Sequence, residues 1–119
     1  MSQFTEQFNE MMDKAYGAAE KAGWWDKPLD TPEQLLALDK EHLLLVMMEV
    51  AEAGEAIRRP TAEQDKHIPE FTELEAELAD VVLRCMNYAK GRGLDLAGAI
   101  ECKHNYNMNR PYKHGGKKF

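Results

Sequence analysis

The feature that most constrains the fold is the stretch from His42 to Ile57, an apolar segment interrupted by regularly spaced acids. At about 100° per residue, its apolar side chains cover almost the whole circumference of a helix, which is typical of a helix inside a bundle. Glu49, Glu52 and Glu55 nevertheless form an acidic stripe along it, and no Lys or Arg accompanies them within the stretch. Because buried carboxylates need charge compensation, the pattern predicts a divalent cation beside this helix.

A second predicted helical segment, residues 73–85, carries acids that match the first. Its apolar line runs along one side, with Glu77 at the edge of that line and Asp80 one step further round. The chain therefore holds two i, i+3 carboxylate pairs, Glu49/Glu52 and Glu77/Asp80, each beside a surface that we expect to be buried.

A loop bounded by prolines separates the two pairs and predicts how they meet. Glu52 lies eight residues before Pro60, and Glu77 lies eight residues after Pro69. If the two helices fold back antiparallel, both pairs stand about 12 Å from the turn, at ~1.5 Å per residue. Facing carboxylates repel unless hard cations lie between them, and all-oxygen ligation suits Mg²⁺ or Mn²⁺. The predicted metal ligands are Glu49, Glu52, Glu77 and Asp80.

Length and composition predict one all-α domain spanning residues 1–119, a bundle of four to five helices. The 119 residues leave room for one modest core, and Leu, Ala, Met, Glu and Lys favour helix. No alternating strand pattern, no apolar run of about 20 residues and no signal peptide is visible. Cys85 and Cys102 have neither metal-site nor disulfide spacing, which predicts reduced thiols in a cytoplasmic protein. The predicted helices cover residues 3–22, 31 to 58 or 59 (with or without a break near Asp39), 70–90, and 96 to 105 or 107.

Charge is divided unevenly along the chain. Residues 1–102 carry ten Lys and Arg against 21 Asp and Glu, whereas residues 103–119 carry five basic residues and no acid, so −11 and +5 make up the total of −6. A basic tail on an acidic body either contacts nucleic acid or folds back over a polyanion held at the acidic site. Because the body would repel duplex phosphates, we expect no stable nucleic-acid binding and predict that the tail, residues 108–119, closes over the site.

Both tryptophans of the chain, Trp24 and Trp25, lie in the loop after the first predicted helix. Such residues either plug the end of a bundle or offer a ring on which a planar base stacks. His42 lies seven residues before Glu49, on the same side of the helix, and we interpret it as a structural residue rather than a ligand. The other acids near the two pairs are interpreted as solvent-exposed charges, although Glu55 shares the acidic stripe with Glu49 and Glu52: Glu55, Glu63, Glu70, Glu73 and Glu75.

Basic residues near the C-terminus indicate what the metal would serve. Lys103, Asn107 and Arg110 are spaced i, i+4, i+7, so they project from one side if the fourth helix continues. A phosphate chain bridged by Mg²⁺ needs such cationic partners on its far oxygens. With a loop Trp for a base, the pattern indicates a nucleoside triphosphate pocket, although not one of the P-loop kind. A di-iron bundle is disfavoured, because its Glu-x-x-His motif occurs once, at Glu101 and His104.

Taken together, these motifs resemble the MazG-like members of the all-α nucleoside triphosphate pyrophosphatase superfamily. The signature of that family, Glu-Glu-x-x-Glu followed by Glu-x-x-Asp, is similar to Met48–Glu52 followed by Glu77–Asp80, with Met48 in place of the first Glu. The C-terminal run, residues 103–117, looks like that of the small integron- or phage-type branch. The resemblance extends from Trp24 to the end of the chain.

The resemblance implies Mg²⁺-dependent hydrolysis of a (deoxy)nucleoside triphosphate to the monophosphate and pyrophosphate, as house-cleaning of the nucleotide pool. It also implies a homodimer or homotetramer whose pockets are built partly by the neighbouring subunit. Glu49, Glu52, Glu77 and Asp80 would hold the metal, with Mn²⁺ as a substitute, and Glu52 by preference, or else Glu49, would take the proton of the attacking water. The residues expected on phosphate are Lys103, Arg110, Lys113 and Lys117, and those expected on sugar or base are Asn107, Trp24, Trp25 and Tyr112.

One alternative belongs to another class of protein. A regulatory helical module would bind nucleotide or a partner protein without cleaving it, and its basic tail would touch nucleic acid. Release of pyrophosphate from a nucleotide separates the two readings, because only the enzyme produces it.

Overall fold

A computed structural model describes residues 1–110 of the chain, so Tyr112, Lys113 and Lys117 lie outside the described part. The prediction of an all-α fold is confirmed for residues 1–110, which contain four helices and no strand beyond one isolated bridge between Gln64 and Thr72. None of these helices combines the length and the apolar character that a membrane crossing requires. The helices are α1 (Gln3–Lys21), α2 (Pro32–Arg58), α3 (Glu73–Arg92) and α4 (Leu96–Met108).

The helix ends follow from capping side chains. The hydroxyl of Thr31 accepts from the backbone N–H of Gln34, whose side chain reaches back to the cap, and α2 then continues unbroken through Asp39. The third helix begins at Glu73 rather than near residue 70, because Thr72 forms the same kind of capping box with Glu75. Predicted and observed boundaries therefore differ only by a few residues.

A glycine turn ends α1 and fixes where the loop tryptophans begin. Gly23 has a φ of +92°, a left-handed conformation that L side chains rarely adopt. Its N–H donates to the carbonyl of Glu20, and the N–H of Trp24 donates to the carbonyl of Ala19. These two hydrogen bonds form a Schellman turn, which points the chain away from α1 directly before the two indoles.

The centre of the fold is α3, which packs antiparallel between α1 and α2. Its buried Met86 and Ala89 meet Met12 of α1, and partly buried side chains extend this small core: Phe8, Ala15, Leu83 and Leu96. The fourth helix packs against α1 near its start, where the carboxylate of Glu101 accepts from the hydroxyls of Ser2 and Thr5. The acid of the single Glu-x-x-His motif is thus used to join the two helices.

Residues 1–110 do not enclose the second helix, although its apolar circumference predicted a position inside a bundle. Its buried side chains are only Leu38, His42, Glu49 and Ala53. The opposite side faces outward, with Met47 and Ile57 each 66% exposed. A face this apolar is unusual on a monomer. We call it the bare α2 face; it comprises Leu36, Leu43, Leu44, Met47, Met48, Val50 and Ile57.

Candidate metal centre

An aromatic and ionic layer sets the register of α2 against α3. The buried ring of His42 stacks on Trp25 at 4.7 Å and on Tyr88 at 5.6 Å between ring centroids. Asp39, one turn before His42, accepts hydrogen bonds of 2.7 Å from the Tyr88 hydroxyl and from Nε of Arg92. Burial lowers the pKa of His42 and keeps it neutral near pH 7. His42 is therefore a packing residue, in agreement with its interpretation from the sequence.

The two loop tryptophans have different environments. Trp25 donates from its indole N–H to Asn87 at 2.8 Å and packs on Tyr16 as well as His42. A Cβ on Gly91 would lie 2.0 Å from its ring, so α3 accepts this indole only because residue 91 has no side chain. Trp25 therefore plugs the end of the bundle, which is the first of the two roles predicted from the sequence. It does not offer a free face for a base, which is the second. Trp24 is 41% exposed and faces solvent.

Three of the four predicted ligands converge beyond this layer. Glu49 and Glu52 from α2 and Glu77 from α3 each offer a carboxylate oxygen, and these oxygens all lie within 4.8 Å of one another. The antiparallel pairing brings them together because Glu49 lies ten residues after Asp39, while Glu77 lies eleven residues before Tyr88. The contacts between α2 and α3 span 49 residues at Asp39–Tyr88, 35 at Glu49–Arg84 and 28 at Glu49–Glu77, as expected for two helices that fold back antiparallel. We call Glu49, Glu52 and Glu77 the carboxylate cluster.

Two oxygens of the carboxylate cluster are buried without a partner. Glu49 is 8% exposed, and its Oε2, like Oε2 of Glu77, makes no hydrogen bond to residues 1–110. Leaving a buried acceptor unpaired costs about 1–3 kcal/mol, and more when the group is charged. Unpaired oxygens on two acids of one cluster are what a cation with oxygen ligands would satisfy.

Protonation of the carboxylate cluster is divided unequally. Burial, and then the neighbouring carboxylates of Glu52 and Glu49, raise the pKa of Glu77 to about 7. Burial also acts to raise the pKa of Glu49, but the hydrogen bond and charge of Arg84, together with the adjoining carboxyls, outweigh it, so this pKa is lowered. Without a cation, we therefore expect the cluster to share one proton near neutral pH, with Glu77 the acid whose pKa is raised.

Arg84 is a site residue that the sequence analysis missed. Its Nε donates to Oε1 of Glu49 at 2.8 Å, and its Cζ lies 5.9 Å from the centroid of the Trp24 ring. The acidic stripe of α2 is thus partly compensated from α3 rather than from its own helix. The signal was present, because Arg84 lies seven residues after Glu77 and hence on the same side of α3.

Asp80 and Glu55 do not join the carboxylate cluster. Asp80 is exposed, and burial of its carboxyl and the charge of Glu49 raise its pKa. At i+3 from Glu77 it is rotated by about 60° around α3, and its side chain is one methylene shorter, so it stops at the rim. Glu55 pairs instead with Arg58 at 3.0 Å, and the acids at the start of α3 are engaged there, Glu73 with Arg59 and Glu75 with Thr72.

The predicted phosphate residues of α4 lie away from the carboxylate cluster in the same chain. Glu101 contacts the start of α1 at Thr5, whereas Arg84 lines a groove with Ala18 near the end of that helix. Thirteen residues of α1 correspond to about 20 Å. Lys103 lies 5.1 Å from the Tyr106 ring, and Asn107 and Arg110 follow it, all exposed. These three residues therefore do not reach the carboxylate cluster of their own chain, whereas most of the tail predicted to close over the site, residues 111–119, lies outside the described part.

Comparison with known proteins adds no relative to this picture: no family model, no curated protein and no solved structure matches the chain.

Proposed function

We propose that this protein is a Mg²⁺-dependent nucleoside triphosphate pyrophosphohydrolase that acts on the cytoplasmic nucleotide pool. The observation that carries the proposal is the carboxylate cluster, in which two helices aim three acids at one point and leave two buried oxygens unpaired. Solvated acids on a helical bundle would instead point outward and make no such cluster. The resemblance to the MazG-like signature supports the same reaction.

The donor set of the carboxylate cluster fits the proposed ion. Glu49, Glu52 and Glu77 offer only carboxylate oxygens, the ligand type that Mg²⁺ and Mn²⁺ prefer over softer donors. Three ionised acids beside one guanidinium leave a formal charge of −2, which a divalent cation neutralises. When bound there, Mg²⁺ would supply charge neutralisation on the phosphate oxygens and a lowered pKa of water.

Within this proposal, the acids of the carboxylate cluster have different roles. Glu49 and Glu77, with their unpaired buried oxygens, hold the ion. Glu52 is the exposed member, so it is the one placed to accept a proton from water entering the site. The water oxygen attacks the α-phosphorus, the bond from this phosphorus to the α–β bridging oxygen breaks, and pyrophosphate leaves. Asp80, at the rim, would hold water at the edge of the site.

The predicted nucleotide contacts on α4 are assigned to a neighbouring copy of the chain. Because α4 meets α1 about 20 Å along that helix from the groove that Arg84 lines, we assign Lys103, Asn107 and Arg110 to the site of a neighbouring subunit. The bare α2 face supports a homodimer or homotetramer, since association would cover it. Met47→Glu places a charge at the centre of this face and is expected to dissociate the oligomer, as measured by analytical ultracentrifugation. Glu55→Gln, a change at an exposed residue of the same helix outside this face, is expected to leave the oligomer intact.

A pyrophosphate-release assay tests the proposed reaction. Purified protein is incubated with Mg²⁺ and a panel of ribo- and deoxynucleoside triphosphates, standard and damaged. Turnover of at least one nucleotide is expected, and Glu52→Gln is expected to lower kcat by about 10²–10⁴-fold, the range for loss of a general base. Glu55→Gln, a matched substitution one turn away that leaves the carboxylate cluster intact, should retain kcat. Nucleotide binding without release of pyrophosphate from any nucleotide would instead identify the regulatory module.

A further inference from the structure

The guanidinium of Arg84 stands between the carboxylate cluster and an exposed indole. On one side its Nε donates to Oε1 of Glu49, and on the other its Cζ lies 5.9 Å from the centroid of the Trp24 ring. The side chain is 33% exposed, so it is neither buried as a structural ion pair nor free in solvent. One planar cation therefore contacts both a candidate metal ligand and the only described tryptophan that faces solvent.

The hydrogen bond divides the two oxygens of Glu49 between different partners. Oε1 accepts from Arg84, whereas Oε2 is buried and has no partner in residues 1–110, as is also the case for Oε2 of Glu77. Within residues 1–110, the hydrogen bond that Arg84 donates comes from Nε alone, so its two Nη groups remain for another acceptor. Guanidinium groups bind phosphate with such parallel N–H donors, whereas an ammonium acts as a point charge.

Arg84 also forms part of a groove on the α1 side of α3. The groove has a volume of about 280 Å³, and three alanines of α1 form its opposite wall. Arg84 is the only basic side chain in its lining, and Asp80 stands at the same edge. An anion that enters here finds one cationic partner, whose hydrogen bond to Glu49 links the groove to the carboxylate cluster.

We propose that Arg84 couples the two ligands of the site, holding Glu49 for the metal through Nε and binding a phosphate oxygen of the nucleotide through its Nη groups, with Trp24 as the platform for the guanidinium. This assignment rests on the proposed function for the identity of the ligand. It makes Arg84 a contribution of the same chain to phosphate recognition, in addition to the residues assigned to a neighbouring copy. A phosphate-binding role requires the fork of arginine, and positioning of Glu49 requires only a cation.

The conservative variant Arg84→Lys separates these roles, because lysine keeps the charge and loses the fork. The probes are Mn²⁺ alone and, at saturating Mn²⁺, a nucleoside triphosphate analogue with a methylene group in place of the α–β bridging oxygen, both followed by calorimetry. The affinity for Mn²⁺ is expected to stay within about threefold of wild type, since a lysine ammonium still pairs with Glu49. The affinity for the analogue is expected to fall by about tenfold or more, the loss of one charge-assisted hydrogen bond.

Two further variants complete the design. Arg59→Lys changes an arginine that pairs with Glu73 outside the carboxylate cluster, and should leave both affinities unchanged. Trp24→Ala removes an exposed ring, so the fold should be retained. The affinity for the analogue should fall about threefold or more, and the affinity for Mn²⁺ should not change.

Each result decides the proposal. If Arg84→Lys binds the analogue with wild-type affinity, the proposal is overturned. It is also overturned if the affinities for Mn²⁺ and for the analogue fall by the same factor, because Arg84 would then be a positioning residue only. If Trp24→Ala binds the analogue with wild-type affinity, Trp24 is not a platform for the guanidinium. If the expected pattern is found but the wild type releases no pyrophosphate, the role of Arg84 stands and the hydrolase proposal fails; if the wild type does not bind Mn²⁺, both fail.

Discussion

Replacing Glu77 by Gln tests the carboxylate cluster through stability rather than turnover. The pKa of Glu77 is raised to about 7 from its ordinary 4.5, because the group is buried beside two other carboxylates. Below about pH 4.5 the folded and unfolded chains both hold this proton. Between about 4.5 and 7 the folded chain retains a proton that the unfolded chain loses, so the stability of the metal-free protein falls as pH rises. Above about pH 7 the full cost of the ionised group is present.

The magnitude follows from that difference. At about 1.36 kcal/mol per pH unit, the rise from 4.5 to about 7 corresponds to about 3 kcal/mol as an upper bound. Solvent and the neighbouring acids reduce this, so we expect Glu77→Gln to stabilise the metal-free protein by about 1–3 kcal/mol at pH 8 and by about zero at pH 4.5. With Mg²⁺ at about 100 times its Kd, the wild type is expected to gain about 2.7 kcal/mol, and the variant much less.

The assay is urea unfolding at pH 4.5, 6 and 8, at one protein concentration, with chelator and then with Mg²⁺. Glu55→Gln is the matched control, because Glu55 is an exposed acid that pairs with Arg58 outside the cluster. The free energy of unfolding of this variant should stay within about 0.5 kcal/mol of the wild-type value. A Glu77→Gln variant that is less stable than wild type at pH 8 without metal would refute the reasoning, since it would show that the ionised acid has a partner in the fold.

Three further predictions address the site and the fold. Binding of Mg²⁺ must displace the proton of Glu77, so its apparent Kd should rise about tenfold per pH unit below about pH 7, with proton release that calorimetry in two buffers detects. Trp25→Ala should cost about 2–4 kcal/mol in thermal or urea unfolding, because it removes a packed ring, whereas Trp24→Ala should cost less than about 1 kcal/mol; equal costs would contradict the different environments of the two indoles. Asp80→Asn should lower kcat by less than about tenfold while Glu52→Gln lowers it by about a hundredfold or more, and the reverse order would place Asp80 among the direct ligands.

Much of the fold could be read from local chemistry. The cap residues Thr31, Thr72 and Asp95 each accept from a backbone N–H of the first turn, so the sequence marks these helix starts closely. The meeting of Glu49 and Glu52 with Glu77 followed from their distances to the turn, because helical rise is constant. Arg84 was missed because its partner lies 35 residues away on another helix: the spacing of Arg84 from Glu77 shows that they share a side of α3, but it does not show which residue of α2 faces them.

The sequence by itself determined that the chain is helical, where most of its helices begin and end, and that acids lie beside apolar surfaces, because capping and periodicity act over only a few residues. Only the tertiary structure decided that Asp80 stays at the rim, that Trp25 is packed while Trp24 faces solvent, and that α4 carries its basic residues away from the cluster. Those outcomes depend on how α1 and α2 are rotated and placed on α3. That arrangement is fixed by the simultaneous packing of side chains far apart along the chain, such as Met12 on Met86 and His42 between Trp25 and Tyr88, and a local pattern cannot specify it.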